Sequence, residues 1–352
     1  MAVVDAAAME ANLARMAQIA AGHHVRLRPH AKTHKSGHVA QRQMAHGAVG
    51  LTAATFIEAE TFAGAGIDDI LIAHPPVGEA KLRRLATLAE RVRRLAVSLD
   101  DVDLARALPK RVEVLWEIDP GQHRIGTAPG PITVDGVKRL VDAIGADRFR
   151  GLITHGGHSY AASDKTGRQR AADQESDGLL ATAAMLREAG IQVRELSLGS
   201  TPTAGLSLRE GITEMRPGTY VYGDANQVAL GSQRLENCAL AVIATVVSTP
   251  APDRAVVDAG SKAISADLRV AGLEGYGIVL GHTGLTVARL SEEHAVVTAA
   301  GNAGIRIGDR LAIIPAHACT TVNLHPAVLL VGLDAPARWL QVDARGWQPV
   351  HD

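Results

Sequence analysis

The sequence predicts an α/β protein in two parts: a (β/α)8 TIM barrel over residues 1–225, then a C-terminal all-β domain over 226–352. Three features predict it. Through the first two-thirds of the chain, short β-branched runs alternate with alanine-rich stretches of helical period, in eight successive units. No G-x-G-x-x-G follows the first of these runs, which disfavours an open dinucleotide-binding sheet. After about Gly223 the texture changes to strand-like runs separated by Gly, Pro and Asp, without long helical patterns.

The eight expected strands, in order, are "HHVRLRPHAK" (23–32), "GAVGLTAAT" (47–55), "DILIAH" (69–74), "RLAVSLD" (94–100), "RVEVLWEID" (111–119), "RFRGLITHG" (148–156), "VRELSLGS" (193–200) and "TEMRPGTYVYG" (213–223). Helical period fills the gaps at 36–46, 56–65, 77–91, 133–145 and, longest, 168–190. Beyond Gly223 the expected strands are "CALAVIATVVST", "RAVVDAGSKAIS", "GLTVARLS", "HAVVTAA", "DRLAIIPAHAC", "AVLLVG" and "ARWLQVD".

Bulk properties exclude several classes of function. With 36 Lys+Arg against 37 Asp+Glu the chain lacks the basic field that nucleic acids or anionic membranes require. The longest apolar run, "CALAVIATVV", is too short to span a bilayer. Only two cysteines, Cys238 and Cys319, are present, and the N-terminal stretch does not read as a signal peptide; a cytoplasmic protein is expected.

The polar residues of interest fall where strands end, which in a barrel is the catalytic face. Side-chain alternation sets Arg26, Arg28, His30 and Lys32 on one side of the first strand. A lysine among other cations is more readily a free amine, suited to Schiff-base chemistry, and Lys32 is preferred over Lys35 for that role. Arg124 follows the fifth strand, His155 and His158 the sixth, Ser200 and Thr201 the seventh; Arg216 and Gly218 lie in the eighth. "SLGSTPT" and "RPGTY" combine glycine, hydroxyls and turns as a phosphate site does, although either alone is an ordinary turn. In "IIPAHACTTVNLH", His317 and Cys319 alternate with alanine, so on a strand both point the same way, as a zinc-type pair.

Taken in order, "RPHAKTHKS", "EIDPGQHRIG", "GLITHGGHSY", "SLGSTPT", "MRPGTYVYGD", "VVDAGSKAIS", "SEEHAVV" and "GDRLAIIPAHACTTVNL" resemble the fold-type III pyridoxal-phosphate enzymes. These are the alanine racemase-like barrels, and the likeness is to their D-serine dehydratase and D-threonine aldolase group. The resemblance covers nearly the whole chain. It implies pyridoxal 5'-phosphate (PLP) and a divalent metal, Zn2+ or else Mn2+ or Mg2+. Lys32 matches the cofactor lysine, which also serves as general base, and Arg124, His155, Tyr160 and Arg216 match residues around the cofactor ring. Ser200, Thr201, Gly218, Thr219 and Tyr220 match the cofactor-binding turns; His317 and Cys319 match the metal pair.

The resemblance further implies dehydration of a D-β-hydroxy amino acid, D-serine or D-threo-3-hydroxyaspartate, to a keto acid and ammonia. Dehydratases of the group tend to carry H-x-C where aldolases carry H-x-D. Retro-aldol cleavage to glycine plus an aldehyde or glyoxylate is the alternative; racemisation and PLP binding without turnover are minor ones. A homodimer with its site at the interface is expected. Two departures from the pattern stand out: only "VVD" remains of the N-terminal strand that opens the second domain, and Arg216 is racemase-like.

Overall fold

The structure, a computed structural model, describes residues 1–267, 269–332 and 336–346. Residues 347–352, which the sequence assigns to the second domain, lie outside the described residues. The chain divides into two compact units.

One unit takes in Arg15–Tyr160 and Thr166–Gly218. Its eight strands are Arg26–Leu27, Leu51–Ala53, Asp69–Ile72, Arg94–Leu99, Glu113–Ile118, Phe149–Thr154, Glu195–Leu198 and Glu214–Met215, paired in parallel. The ring closes. The eighth strand pairs with the first at Arg26↔Glu214 and Leu27↔Met215, and the first meets the second through the His30↔Thr52 bridge. Both strands at the closure are only two residues long. Backbone pairing runs on past Pro29, the His30 N–H donating to the Pro217 carbonyl at 3.0 Å, before the chain turns at Ala31. Lys32 therefore does not end a strand, as expected from sequence, but lies in a 3-10 turn, Ala31–Thr33.

The helices Gly37–Ala45, Phe56–Gly64, Glu79–Arg91, Pro131–Ile144 and Lys165–Glu188 occupy the expected stretches. A further short helix, Val102–Ala107, starts at Asp101, whose carboxylate accepts the Leu104 N–H at 2.9 Å.

Barrel interiors are commonly filled by branched apolar side chains; here one level is ionic. Arg28 pairs with Asp69 at 2.7 Å and Glu214 at 2.9 Å, and Arg94 with Glu113 at 2.7 Å and Glu195 at 2.9 Å. Arg150 adds a 2.8 Å contact to Glu195. Burial opposes ionisation of Glu195, but Arg94, Arg150 and Arg26 outweigh it and hold the carboxyl down at about 2. The buried charges are thus mutually compensated rather than stranded. Two of the cations in the 28–36 stretch are spoken for in this way: Arg28 here, and Lys35 by Glu58 at 3.6 Å.

The second unit comprises Met1–Ala14, Ala161–Lys165 and Thr219–Arg345. Nine strands form one sheet, in the order Arg254–Val257, Ala295–Ala299, Leu285–Leu290, Gly277–Val279, Arg310–Pro315, Leu240–Ala251, Ala2–Asp5, Ala327–Val331 and Arg338–Gln341. Arg254–Val257 also pairs with Leu240–Ala251, which closes a barrel around Val242, Ala244, Val246, Val257, Val279, Val287, Val297 and Ile313.

The chain start groups with this unit, and one expectation of the sequence is corrected here. Ala2–Asp5 runs antiparallel to Leu240–Ala251 (Ala2↔Val242) and parallel to Ala327–Val331 (Val3↔Leu329), so four residues suffice for the N-terminal strand. The run through "AHAC" is not all strand: Arg310–Pro315 ends, and a helix, Ala318–Leu324, begins after His317. The reason is a cap. The Asp224 carboxylate accepts the Ala318 N–H at 3.0 Å, satisfying a donor that a new helix leaves open. Among the described residues no helix is long and apolar enough to cross a membrane.

Candidate active site

In the first unit a cavity of ≈ 320 Å³ is lined by His30, Lys32, His74, Glu117, Arg124, His155 and Arg216, among others. Four of the residues picked from sequence, Lys32, Arg124, His155 and Arg216, meet here. Lys32 makes no hydrogen bond or ion pair among the described residues, in contrast to Arg28 and Lys35.

Arg216 is fixed from below. Its Nε donates to Ser197 Oγ at 2.8 Å, Ser197 Oγ donates to Glu214 at 2.8 Å, and a terminal guanidinium N–H donates to the Thr154 carbonyl. Through Glu214 the ionic level of the barrel thereby reaches the cavity wall. Glu117 accepts from the Ser98 hydroxyl, and burial pushes its carboxyl up from the ordinary range.

Two of the three imidazoles of the cavity, those of His30 and His155, are neutral. Burial, then Lys32, then Arg216, neighbouring His155 and Arg124, hold His30 well below its ordinary value. The same burial and cations act on His155, whose Nδ1 stands 3.3 Å from the Gly199 carbonyl. A neutral ring donates from Nδ1 there and leaves Nε2 as an acceptor. His30 Nδ1 and Thr154 Oγ1 are buried without a hydrogen-bond partner among the described residues. Such orphans mark a place for a polar ligand.

Beside the cavity, Ser200 Oγ lies 3.0 Å from Thr203 Oγ1 and 3.3 Å from Ser159 Oγ. This hydroxyl cluster is organised by Glu175, which accepts from Gly156 N at 2.7 Å, Gly199 N at 2.9 Å and Thr203 Oγ1 at 3.0 Å. A Cβ on Gly156 would stand 2.6 Å from the Glu175 carboxylate, so the position requires glycine. Gly218 packs on the lysine segment in the same way, its hypothetical Cβ 3.1 Å from the His30 carbonyl. Ser200, Thr201, Gly218 and Tyr160 are not among the residues that line the cavity. Thr219 and Tyr220 fall in the second unit, where Tyr220 is buried.

Sequence reasoning missed His30, Glu117 and Glu175 as site residues. Glu175 had a signal: it sits on the buried stripe of its helix with Ala171, Ala172, Leu179, Ala183 and Leu186, where a carboxylate needs partners.

In the second unit His317, extended at φ −134°, precedes the helix, and Cys319 is its second residue. The thiol lies within hydrogen-bonding reach of the imidazole and 3.6 Å from Thr219 Oγ1. His317 Nδ1 is 2.7 Å from the Asp267 carboxylate. Burial opposes a proton on His317, but Cys319, Asp224 and Asp267 outweigh it and raise its affinity for positive charge. An imidazole and a thiol gathered in an anionic field fit a zinc-type cation. Among the described residues no group of three or more His, Cys, Asp and Glu side chains is arranged around one point. The pair would leave its remaining positions to water or substrate.

Comparison with known proteins decides the family. Residues 4–226 match the model of the alanine racemase N-terminal domain, and 239–331 that of a putative serine dehydratase domain. The chain belongs to the alanine racemase-like family. Within this fold-type III family, it is 34% identical over 98% of its length to D-threonine aldolase of Arthrobacter sp, covering 92% of that protein. It is 35% identical to D-threo-3-hydroxyaspartate dehydratase of Delftia sp. (strain HT23), covering 98% of this chain and 97% of the other. The solved structure of that dehydratase superposes with a TM-score of 0.90, and that of D-threonine aldolase from Filomicrobium marinum, 32% identical, with 0.88 over 98% of this chain and 95% of the other. Solved forms of D-threo-3-hydroxyaspartate dehydratase include a cysteine-to-alanine mutant in a metal-free form and a histidine-to-alanine mutant. The named alanine racemase-like relatives are thus lyases of two kinds, dehydratases and aldolases.

Proposed function

We propose that this protein is a PLP- and zinc-dependent lyase that dehydrates a D-configured β-hydroxy amino acid, D-serine or D-threo-3-hydroxyaspartate, to a keto acid and ammonia. The observation that carries the reading is the unpaired Lys32 in a cavity that also holds Arg124, Arg216 and two neutral imidazoles. An anionic, carbonyl-bearing cofactor suits that set: Lys32 would hold its carbonyl, Arg124, His155 and Arg216 would surround its ring, and Ser200, Thr201, Gly218, Thr219 and Tyr220 would hold its phosphate, with Tyr160 nearby. In bound form PLP supplies the electron sink for charge developing at the substrate α-carbon.

The chain's own residues do the rest. Lys32 Nζ takes the Cα proton as general base. Neutral His155 accepts hydrogen bonds rather than adding a further cation, and Arg216, held by Ser197 and Thr154, keeps a fixed donor on the ring side. His317 and Cys319 would hold zinc, a Lewis acid for the β-hydroxyl. Loss of the proton and of the hydroxyl as water leaves an enamine, which hydrolyses to keto acid and ammonia.

The domain roles follow: the barrel carries the cofactor and the β unit the metal. The resemblance supports a cytoplasmic homodimer in which a partner's β unit adjoins the cofactor site.

Retro-aldol cleavage to glycine and an aldehyde is the second reading, favoured by the 34% identity to a D-threonine aldolase. Cysteine rather than aspartate at 319 supports dehydration over it. Incubation of the PLP- and zinc-loaded protein with D- and L-β-hydroxy amino acids tests both. Keto acid and ammonia from D-substrates are expected; glycine plus aldehyde overturns dehydration in favour of aldol cleavage, and no product overturns the lyase assignment.

A further inference from the structure

Of the groups around His317, one carboxylate has no place in the His-x-Cys motif. Asp267 lies 50 residues upstream, yet its Oδ2 is 2.7 Å from His317 Nδ1. It is not a casual surface neighbour. The Asp267 N–H donates to Ser265 Oγ at 3.0 Å, and the Ser265 N–H donates to Thr321 Oγ1 at 3.2 Å. Thr321 is on the helix Ala318–Leu324, which also carries Cys319. The loop bearing the carboxylate and the helix bearing the thiol are therefore pinned together, with His317 between them. On the other side, Asp224 fixes the backbone next to His317 by accepting the Ala318 N–H.

We infer that Asp267 is a positioning residue for the metal site: it holds His317 as the Nδ1–H tautomer and so turns the Nε2 lone pair to the cation held with Cys319. The inference rests on the metal reading above and deepens it. A ring nitrogen that donates to a carboxylate cannot also bind metal, so the contact selects which nitrogen does. The carboxylate further raises the basicity of the ligating nitrogen, and loss of such a partner commonly weakens metal binding by about 10–100-fold. The rival is a plain ion pair. The Asp267 side chain is 45% exposed, and exposed ion pairs contribute little to stability, so a merely structural role predicts a nearly silent substitution.

The test uses the PLP-loaded protein, stripped of metal and titrated with zinc against a chromophoric chelator; Co2+ substitution gives an absorption spectrum of the thiolate site. Asp267→Ala should weaken zinc binding by about 10–100-fold and change the Co2+ spectrum, with the cofactor absorption unaltered. Asp267→Asn, whose amide oxygen still accepts from Nδ1–H, should recover part of the affinity. Zinc affinity in Asp267→Ala within about twofold of the parent, with an unchanged Co2+ spectrum, overturns the inference and leaves the metal reading intact. If the parent and His317→Ala take up zinc equally, the metal reading itself fails and the inference falls with it.

Discussion

Replacing Glu175 tests whether its role is to satisfy donors or to place a charge. Its carboxylate takes two backbone N–H groups, from Gly156 and Gly199, on one oxygen and the Thr203 hydroxyl on the other. Burial pushes this carboxyl up from its ordinary range against those donors. In Glu175→Gln the amide oxygen keeps both backbone donors, and the amide nitrogen can donate to Thr203, whose hydroxyl turns to the Ser200 oxygen 3.0 Å away. The expected cost is below about 1 kcal/mol, because no donor is stranded and Arg216, which also feels this charge, keeps the carboxylates of Glu117 and Glu214. In Glu175→Ala three buried donors lose their acceptor, at about 1–3 kcal/mol each, so roughly 3–9 kcal/mol in total, a large share of a typical domain's stability. Urea unfolding of the two variants at neutral pH, with hydrogen exchange at the Gly156 and Gly199 amides, measures this. Equal losses in the two variants would refute the donor argument and make the charge the essential feature. A Glu175→Ala cost below about 1 kcal/mol would refute the inventory of bonds itself.

Further outcomes are expected. Borohydride reduction of the PLP-loaded protein and peptide mapping should label Lys32; label on Lys35, which is paired with Glu58 at 3.6 Å, overturns the assignment. Cys319→Ala should abolish zinc-dependent turnover and keep the cofactor spectrum, whereas Cys319→Asp should shift the preference toward Mn2+ or Mg2+; full turnover in metal-free Cys319→Ala refutes the metal role. Thr201→Ala should weaken PLP retention by about 1–2 kcal/mol, and an unchanged affinity places the phosphate elsewhere. Buried His34, held by burial at about 4 against 6.5 despite Gln43 and Ser36, is neutral in the fold and gains a proton on unfolding. Its stabilisation is complete above about pH 6.5 and is lost as pH falls toward 4, by about 2 kcal/mol at pH 5. Denaturant titrations near pH 7.5 and pH 5 should show His34→Gln relieved of that loss; an identical pH dependence refutes it.

How far the site was legible depended on whether its cause was local. The eight barrel strands were readable because each is a short β-branched run bounded by a helical period, and Lys32, Arg124, His155 and Arg216 because they stand out as polar residues close to strand ends. Alternation set Arg26, Arg28, His30 and Lys32 on one side, but it could not tell depth: Arg28 sinks to the ionic level while Lys32, in the turn beyond the strand, reaches the cavity. The helix after His317 was not legible, because the carboxylate that caps it, Asp224, is 94 residues away. Asp267 was hidden for the same reason.

The strand Ala2–Asp5 has a kinetic consequence. It lies between Leu240–Ala251 and Ala327–Val331, so residues synthesised early are slotted between segments made much later. At about 5–20 residues per second, the wait from Val3 to Leu329 is roughly 15–65 s. Every barrel strand has been made by then, so the barrel is free to close early, while the nine-stranded sheet sets only after that long-range pairing. During the interval Ala2–Asp5 presents an unpaired edge, a surface on which nascent copies can pair wrongly. Refolding from denaturant should therefore be most vulnerable to aggregation in a late phase belonging to the β unit. A chain stopped before Ala327 would keep that edge open for good.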